Sequence, residues 1–341
     1  MASDVAAAAG IHESDVIRFD TNTSAWPPVA WEHTVLDVPR LPAHEYPHPS
    51  NEPLRSALAD RLSVAPDRVV ITCGADEALF VIASAYLGPG RRAVVADPSF
   101  SMFRVVSETV GAGMLRVPVD DSWDLPLPAT LEAVQRPEVG VAWLCSPNNP
   151  TGRLLQREFV ESVLQAAPDV LVCIDEAYYE ITGVTLADLL SYPNAVLVRT
   201  FSKGYGLAGA RVGYLVGAPE VTRTIETIRL PQNMTAFGLA AAGRALADQA
   251  GLAERVAAII AERERLAAEL GRRGWQSLPS QGNFLLAMPP KPATDVADWL
   301  QKGGLIVRSY AGHPRLNDWL RLSVRSPEED DRLLQRLDAR R

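Results

Sequence analysis

The chain has 341 residues, 47% hydrophobic and 22% charged, with a formal net charge of −8. That length can bury a large core in one domain or two, and an acidic chain without a long basic run argues against nucleic acid as a partner. No apolar stretch reaches bilayer length, and the N-terminus "MASDVAAAAGIHESD" has no basic segment of the kind a secretory leader carries, so a cytoplasmic location without a membrane is expected.

The first 45 residues, with Pro27, Pro28, Pro39 and Pro42, read as an extended arm that packs on a small domain or a partner subunit. His44 and His48 have the i, i+4 spacing of a helical metal site, but Pro47 and Pro49 argue against a helix there, so no metal is expected. From residue 46 to 245 short apolar runs alternate with helical stretches. The runs are 68–74, 93–99, 113–119, 139–145, 170–176, 195–201 and 211–217. Most are continuously apolar rather than alternating, as in strands covered on both faces. The expected fold is therefore α/β, with a large domain built on a mainly parallel sheet of these seven strands.

From residue 246 the texture changes to an alanine- and leucine-rich helix, stopped at Gly271 or Gly274, and then a smaller α+β domain to residue 341. Its strands are expected in "GNFLLAMP", "LIVRSY" and "WLRLSVR", and its helices in "ATDVADWLQKGG" and "SPEEDDRLLQRLDARR". The three cysteines, Cys73, Cys145 and Cys173, are an odd number lying in or beside apolar runs and read as buried reduced thiols.

Only three of the 33 lysine and arginine residues are lysines, and one of these, Lys203, lies in "TFSKGYGLAGARVGY" just after an apolar run. Lysine differs from arginine in that its amine can lose a proton and attack a carbonyl. Lys291 in "PPKP" and Lys302 in "QKGG" have the surroundings of solvated loop lysines. Lys203 has chemically suggestive company. Asp175 ends the strand in "CIDEAYYE", where a buried acid needs a cationic partner such as a protonated cofactor ring nitrogen. "SPNNPTG" (146–152) follows another strand and offers an asparagine amide. "TCGADEA" (72–78) runs from a strand through glycine into a helix, a start that binds phosphate through backbone N–H groups. Glycines 204, 206, 209 and 213 suit close backbone approach, whereas the G-x-G-x-x-G in "GYGLAG" is a weak dinucleotide signal because no early βαβ unit surrounds it.

Together, "PNNPTG", "DEAY", "TFSKGYGLAGARVGY" and "LRLSV" resemble, in order and spacing, the class I/II aminotransferases of the fold-type I family dependent on pyridoxal 5'-phosphate (PLP). "YPHPSNEPLRSALA", "GADEAL" and "PSFSMFRVV" are similar to the histidinol-phosphate aminotransferase branch, over roughly residues 17–330. The resemblance implies that Lys203 holds PLP as a Schiff base and shuttles a proton. It implies that Asp175 pairs with the ring nitrogen, that Asn149 and Tyr178 bond the phenolic oxygen, and that Phe100 stacks on the ring. Ala75 and Asp76 backbone, Ser202 and Arg211 would grip the cofactor phosphate, and Tyr46 would reach the phosphate of a neighbouring subunit in a homodimer with shared active sites. Arg321, with Arg308 as a second contact, would clamp an anionic group of the substrate.

The resemblance thus implies transamination between a small amino donor, an amino acid or amino-phosphate, and a keto acceptor. Elimination, decarboxylation or cyclisation on the same machinery is the alternative, and a cofactor-sensing regulator is a third, disfavoured reading. Departures from the family pattern fall on the substrate side: "TNTSAWPP" (21–28), "PQN" (231–233), Arg325 in "SVRS", and Phe100 where tyrosine is usual. Trp26 and Gln232 are candidate pocket residues on the same ground.

Overall fold

The computed structural model describes residues 2–28 and 44–340; Pro39 and Pro42 of the expected arm lie outside the described residues. The described part of the arm is more structured than its prolines suggest. Ala2–Ala9 is a helix, as the high helix propensity of an alanine run allows. Strand β1 (Ile17–Arg18) pairs in parallel with β11 (Leu305–Ile306), and Phe19, fully buried, continues into the core of the C-terminal part.

Seven strands form the large sheet: β2 (Val69–Thr72), β3 (Arg92–Asp97), β4 (Gly113–Pro118), β5 (Val139–Cys145), β6 (Leu171–Asp175), β7 (Ala195–Thr200) and β8 (Gly213–Gly217). Their order is β2-β8-β7-β6-β5-β3-β4. Only β8 runs against its neighbours, β2 and β7; the remaining pairs are parallel. The continuous apolar runs have the expected cause. Along β6, Val172 and Ile174 enter one hydrophobic cluster while Leu171 and Cys173 enter another on the opposite face, because successive side chains point to opposite sides. Each fully buried aliphatic side chain here contributes roughly 1.5–3 kcal/mol. Of the three thiols, Cys145 and Cys173 are buried and Cys73 is partly so.

This topology decides where the chemistry sits. Because β8 alone is reversed, β2, β3, β5, β6 and β7 all end at one edge of the sheet, and β8 begins there: Cys145 pairs with Asp175, and Gly213 with both Thr72 and Thr200. Parallel sheets bind ligands at this carboxyl edge.

A helix over Gln249–Arg272 follows. It ends before Gly274, which takes the left-handed backbone (φ +78), whereas Gly271 lies inside the helix. The second sheet has the order β12-β13-β10-β9, from β9 (Gln276–Ser277), β10 (Phe284–Met288), β12 (Arg308–Ser309) and β13 (Leu320–Ser323). A helix over Pro327–Asp338 closes the chain, its start set by a capping box between Ser326 and Glu329.

Candidate active site

A cavity of about 420 Å³ opens at the carboxyl edge of the large sheet. Eleven of the candidate site residues named from the sequence line it. The first turn of the helix after β2 brings Ala75 and Asp76, the loop after β3 brings Phe100, those after β5 and β6 bring Asn149 and Tyr178, and Asp175 ends β6 itself. Ser202, Lys203 and Arg211 come from the connection between β7 and β8, and Arg308 and Arg321 from the second sheet. Tyr46 is not among the lining residues; it is 85% exposed on the surface.

The two adjacent acids of "DEAY" have opposite fates. Glu176 is bound by the buried Arg199 guanidinium at 2.8 Å, by the Thr185 hydroxyl and by the Leu186 N–H. Asp175 accepts a hydrogen bond from the Ala177 N–H at 3.0 Å and faces the cavity. Burial pushes its carboxyl up to about 7, only partly offset by that hydrogen bond and by Lys203. Lys203, only partly buried, is lowered to about 8 chiefly by the desolvation of its amine, with Arg321 adding to the effect. Its Nζ donates to the Asn22 carbonyl oxygen at 2.8 Å and lies 5.7 Å from the centre of the Tyr178 ring. Burial also raises the Tyr178 phenol above its ordinary value, so it stays protonated as a donor.

Next to this pair lies a cradle of backbone. A Cβ on Gly213 would stand 2.6 Å from the Gly74 carbonyl carbon and 2.7 Å from the Ala75 nitrogen, so only glycine admits β8 this close. The helix over Gly74–Tyr86 starts here, with Ser202 and Arg211 beside it; Arg211 Nη2 pairs with Asp76 Oδ2 at 3.1 Å. Gly209 has no such role: it has open space around it and a φ that other residues adopt.

The facing wall comes from remote segments. Arg308 on β12 stands directly opposite Arg321 on β13, an unfavourable placement for like charges. Among the described residues neither pairs with a carboxylate. Arg321 Nη1 donates to Asn149 Oδ1 at 2.8 Å and its Nη2 to the Asp20 carbonyl oxygen, while its Nε is buried without a partner. Tyr310 lies among these guanidiniums.

Sequence reasoning did not single out Asp20, Asn22, Thr23 or Tyr310, which also line the cavity. The usable signal was the short polar run "DTNT" directly after the apolar "VIRF". Trp26 and Gln232 do not line the cavity. Trp26 packs against the Tyr178, Ile259 and Phe284 cluster, and Gln232 is exposed in a turn with φ +52.

A mainly parallel α/β sheet with a lysine, a buried acid and a backbone cradle at its carboxyl edge is the kind of site that suits a phosphorylated, cationic cofactor. The family model for aminotransferase class I and II matches residues 17–337, and the chain belongs to that family. It is 36% identical to the histidinol-phosphate aminotransferase of Symbiobacterium thermophilum, with 98% of this chain and 93% of that one covered. It is 38% identical to histidinol-phosphate aminotransferase 2 of Methylococcus capsulatus, over 91% of this chain and 87% of the other. The crystal structure of histidinol-phosphate aminotransferase from Sinorhizobium meliloti in complex with pyridoxal-5'-phosphate superposes with a TM-score of 0.91 at 29% identity, covering 99% of this chain and 95% of that one. These relatives favour transamination over the elimination, decarboxylation and cyclisation alternative.

Proposed function

We propose that this PLP-dependent aminotransferase takes nitrogen from a small amino compound carrying an anionic group, an amino-phosphate of the histidinol phosphate type, and passes it to a keto acid. The residues present fit the cofactor. Asp175 is a buried acid short of a cation, Lys203 is an amine with its charge destabilised, and the Gly74–Gly213 cradle suits a phosphate. Asp175 would hold the ring nitrogen, Asn149 and Tyr178 the phenolic oxygen, Phe100 the ring face, and Ala75, Asp76, Ser202 and Arg211 the phosphate. When bound, PLP supplies an electron sink that makes the substrate Cα–H acidic.

Lys203 does the proton work. An amine lowered to about 8 by burial keeps a neutral fraction near neutral pH, which an ordinary lysine near 10.5 lacks. Its Nζ can therefore both form the cofactor linkage and take or return a proton. Tyr178, held protonated, donates from its Oη.

The observation that carries the substrate class is the juxtaposition of Arg308 and Arg321. Two guanidiniums directly opposite each other, without carboxylate partners among the described residues, are stabilised by a substrate anion between them. The test is absorbance of the PLP-loaded enzyme during titration with amino compounds and no keto acid. Stoichiometric conversion of the cofactor to its amine form by histidinol phosphate, at lower concentration than by uncharged amines, is expected. Equal response to neutral and anionic donors would exclude this substrate class.

We also place the chain in the cytoplasm as a homodimer, in which Tyr46 contacts the cofactor phosphate of the partner subunit. Support comes from the exposed apolar residues Tyr46, Phe80, Leu230 and Phe237. No helix among the described residues is long and apolar enough to cross a membrane. The division into an arm (1–45), a large domain (46–245) and a small domain (246–341) is consistent with the first sheet lying within residues 69–217 and the second within 276–323.

A further inference from the structure

Asn22 occupies an unusual position. It is 1% exposed, its φ is +50, and it stands beside the lysine rather than among the substrate contacts. All of its polar atoms are engaged. Its N–H donates to Ser323 Oγ at 2.7 Å, and Ser323 Oγ lies 3.0 Å from Asn22 Oδ1 and 2.8 Å from the Phe19 carbonyl oxygen, between which its one hydrogen is shared. Asn22 Nδ2 donates to Tyr178 Oη at 3.2 Å. Its carbonyl oxygen accepts from Lys203 Nζ at 2.8 Å and from Asn283 Nδ2 at 3.1 Å.

We propose that Asn22 is a positioning residue. Its left-handed backbone presents a carbonyl to Lys203 Nζ while its side chain fixes the Tyr178 hydroxyl, so the N-terminal segment sets the lysine and the tyrosine as one unit. The residue type follows from the geometry. Positive φ favours glycine, asparagine and aspartate. Glycine would leave Tyr178 Oη without this donor, and aspartate would bury a charge with no hydrogen to give. Asparagine alone of the three meets both needs. The segment is anchored on the second sheet through Ser323, so this contact joins the two walls of the cavity.

The inference rests on Lys203 being the amine that takes the cofactor. The test therefore measures, in cofactor-free and PLP-loaded protein, the pH dependence of Lys203 acylation by an amine-selective reagent, read from the mass of its peptide. PLP must protect Lys203 in the wild type; without protection the reading of the site fails, independently of Asn22. Asn22→Gly keeps the backbone conformation, so its Tm is expected to stay within about 3 °C of the wild type. Loosening the segment admits water to the amine, which raises its pKa; the weaker carbonyl contact works the other way, and the relief of burial decides the sign. Asp76, Asp175, Arg211 and Arg321 still act on the lysine, and burial is the largest cause of its shift. The pH of half-acylation is therefore expected to rise from about 8 toward 10.5. We expect kcat to fall about tenfold or more with substrate KM changed less than about threefold. Ser323→Ala, which removes the anchor and keeps the amide, is expected to give the same shifts to a lesser degree, and it carries the test should Asn22→Gly not fold. An unchanged half-acylation pH overturns the proposal whatever happens to Tm, and so does a raised KM with kcat intact.

Discussion

The two walls of the cavity are built differently. The wall of the large sheet takes each group from within a few residues of a strand end: Asp175 closes β6, Asn149 follows β5, and Ser202 and Lys203 follow β7. The facing wall takes Asp20–Thr23 from one end of the chain and Arg308, Tyr310 and Arg321 from the other, joined by pairings such as Ser323 N to Phe19 O at 2.8 Å across some three hundred residues. On the function proposed above, the chemistry falls mainly to the locally determined wall and the substrate anion to the arginines of the other, with Asn22 reaching across to Lys203 and Tyr178.

The sharpest way to break this comparison is Lys203→Ala. Loss of the amine should lower turnover by at least about 10³-fold. The visible absorbance of the lysine-linked cofactor should disappear, while a thermal melt shows the fold retained. Near-normal turnover would move the chemistry off the large-sheet wall altogether.

Asp175→Asn should cost less, about 10²-fold in kcat, and it separates function from stability. In the cofactor-free protein the Asp175 carboxyl sits near 7, above the ordinary 3.8. A raised carboxyl contributes stability at low pH that is lost as pH climbs through the folded value. Denaturation of the cofactor-free wild type should therefore show stability falling between about pH 4 and pH 7 from this group. The amide of the variant would not titrate, so its profile should be flatter and it should gain on the order of 4 kcal/mol at pH 8 from this group. Parallel profiles for the two proteins would mean that Asp175 is not the strained acid of the site.

The same division explains what could be read from the sequence. All seven strands of the large sheet were legible, because burial on both faces leaves unbroken apolar runs; the candidate residues were named from the family resemblance, and eleven of them line one cavity at the carboxyl edge. Asn22 and Tyr310 left no such trace. Both lie in stretches singled out in the sequence, "TNTSAWPP" and "LIVRSY", but nothing there marks the residue itself, and what brings them to Lys203 and Arg321 is the pairing of β1 with β11 and of β12 with β13, which no local pattern encodes. The helix over Ala2–Ala9 was hidden for a different reason: the prolines further along the arm dominated the reading, although Val5 and Ala6 are buried by it. The opposition of Arg308 and Arg321 was half visible, since both were named, but their register across two strands was not.

Arg325 is the smallest lever and tests whether the long-range wall depends on its supports. Its Nε and Nη2 donate to Glu329 at 3.1 and 3.0 Å, and its Nη1 reaches the carbonyl oxygen and hydroxyl of Thr23 at 3.4 and 3.3 Å. The guanidinium thus ties the last helix to the segment that carries Asn22. Arg325→Ala removes both ties, but Ser323 still anchors Asn22, so KM should rise only about threefold and stability fall by about 1 kcal/mol. Arg325→Lys distinguishes the two ties. An ammonium can keep the Glu329 pair but cannot also span to Thr23 with a second arm, so melting should recover while KM stays raised. Recovery of both by lysine would show that the Thr23 contact does nothing for substrate, and that the wall holds its shape through Ser323 alone.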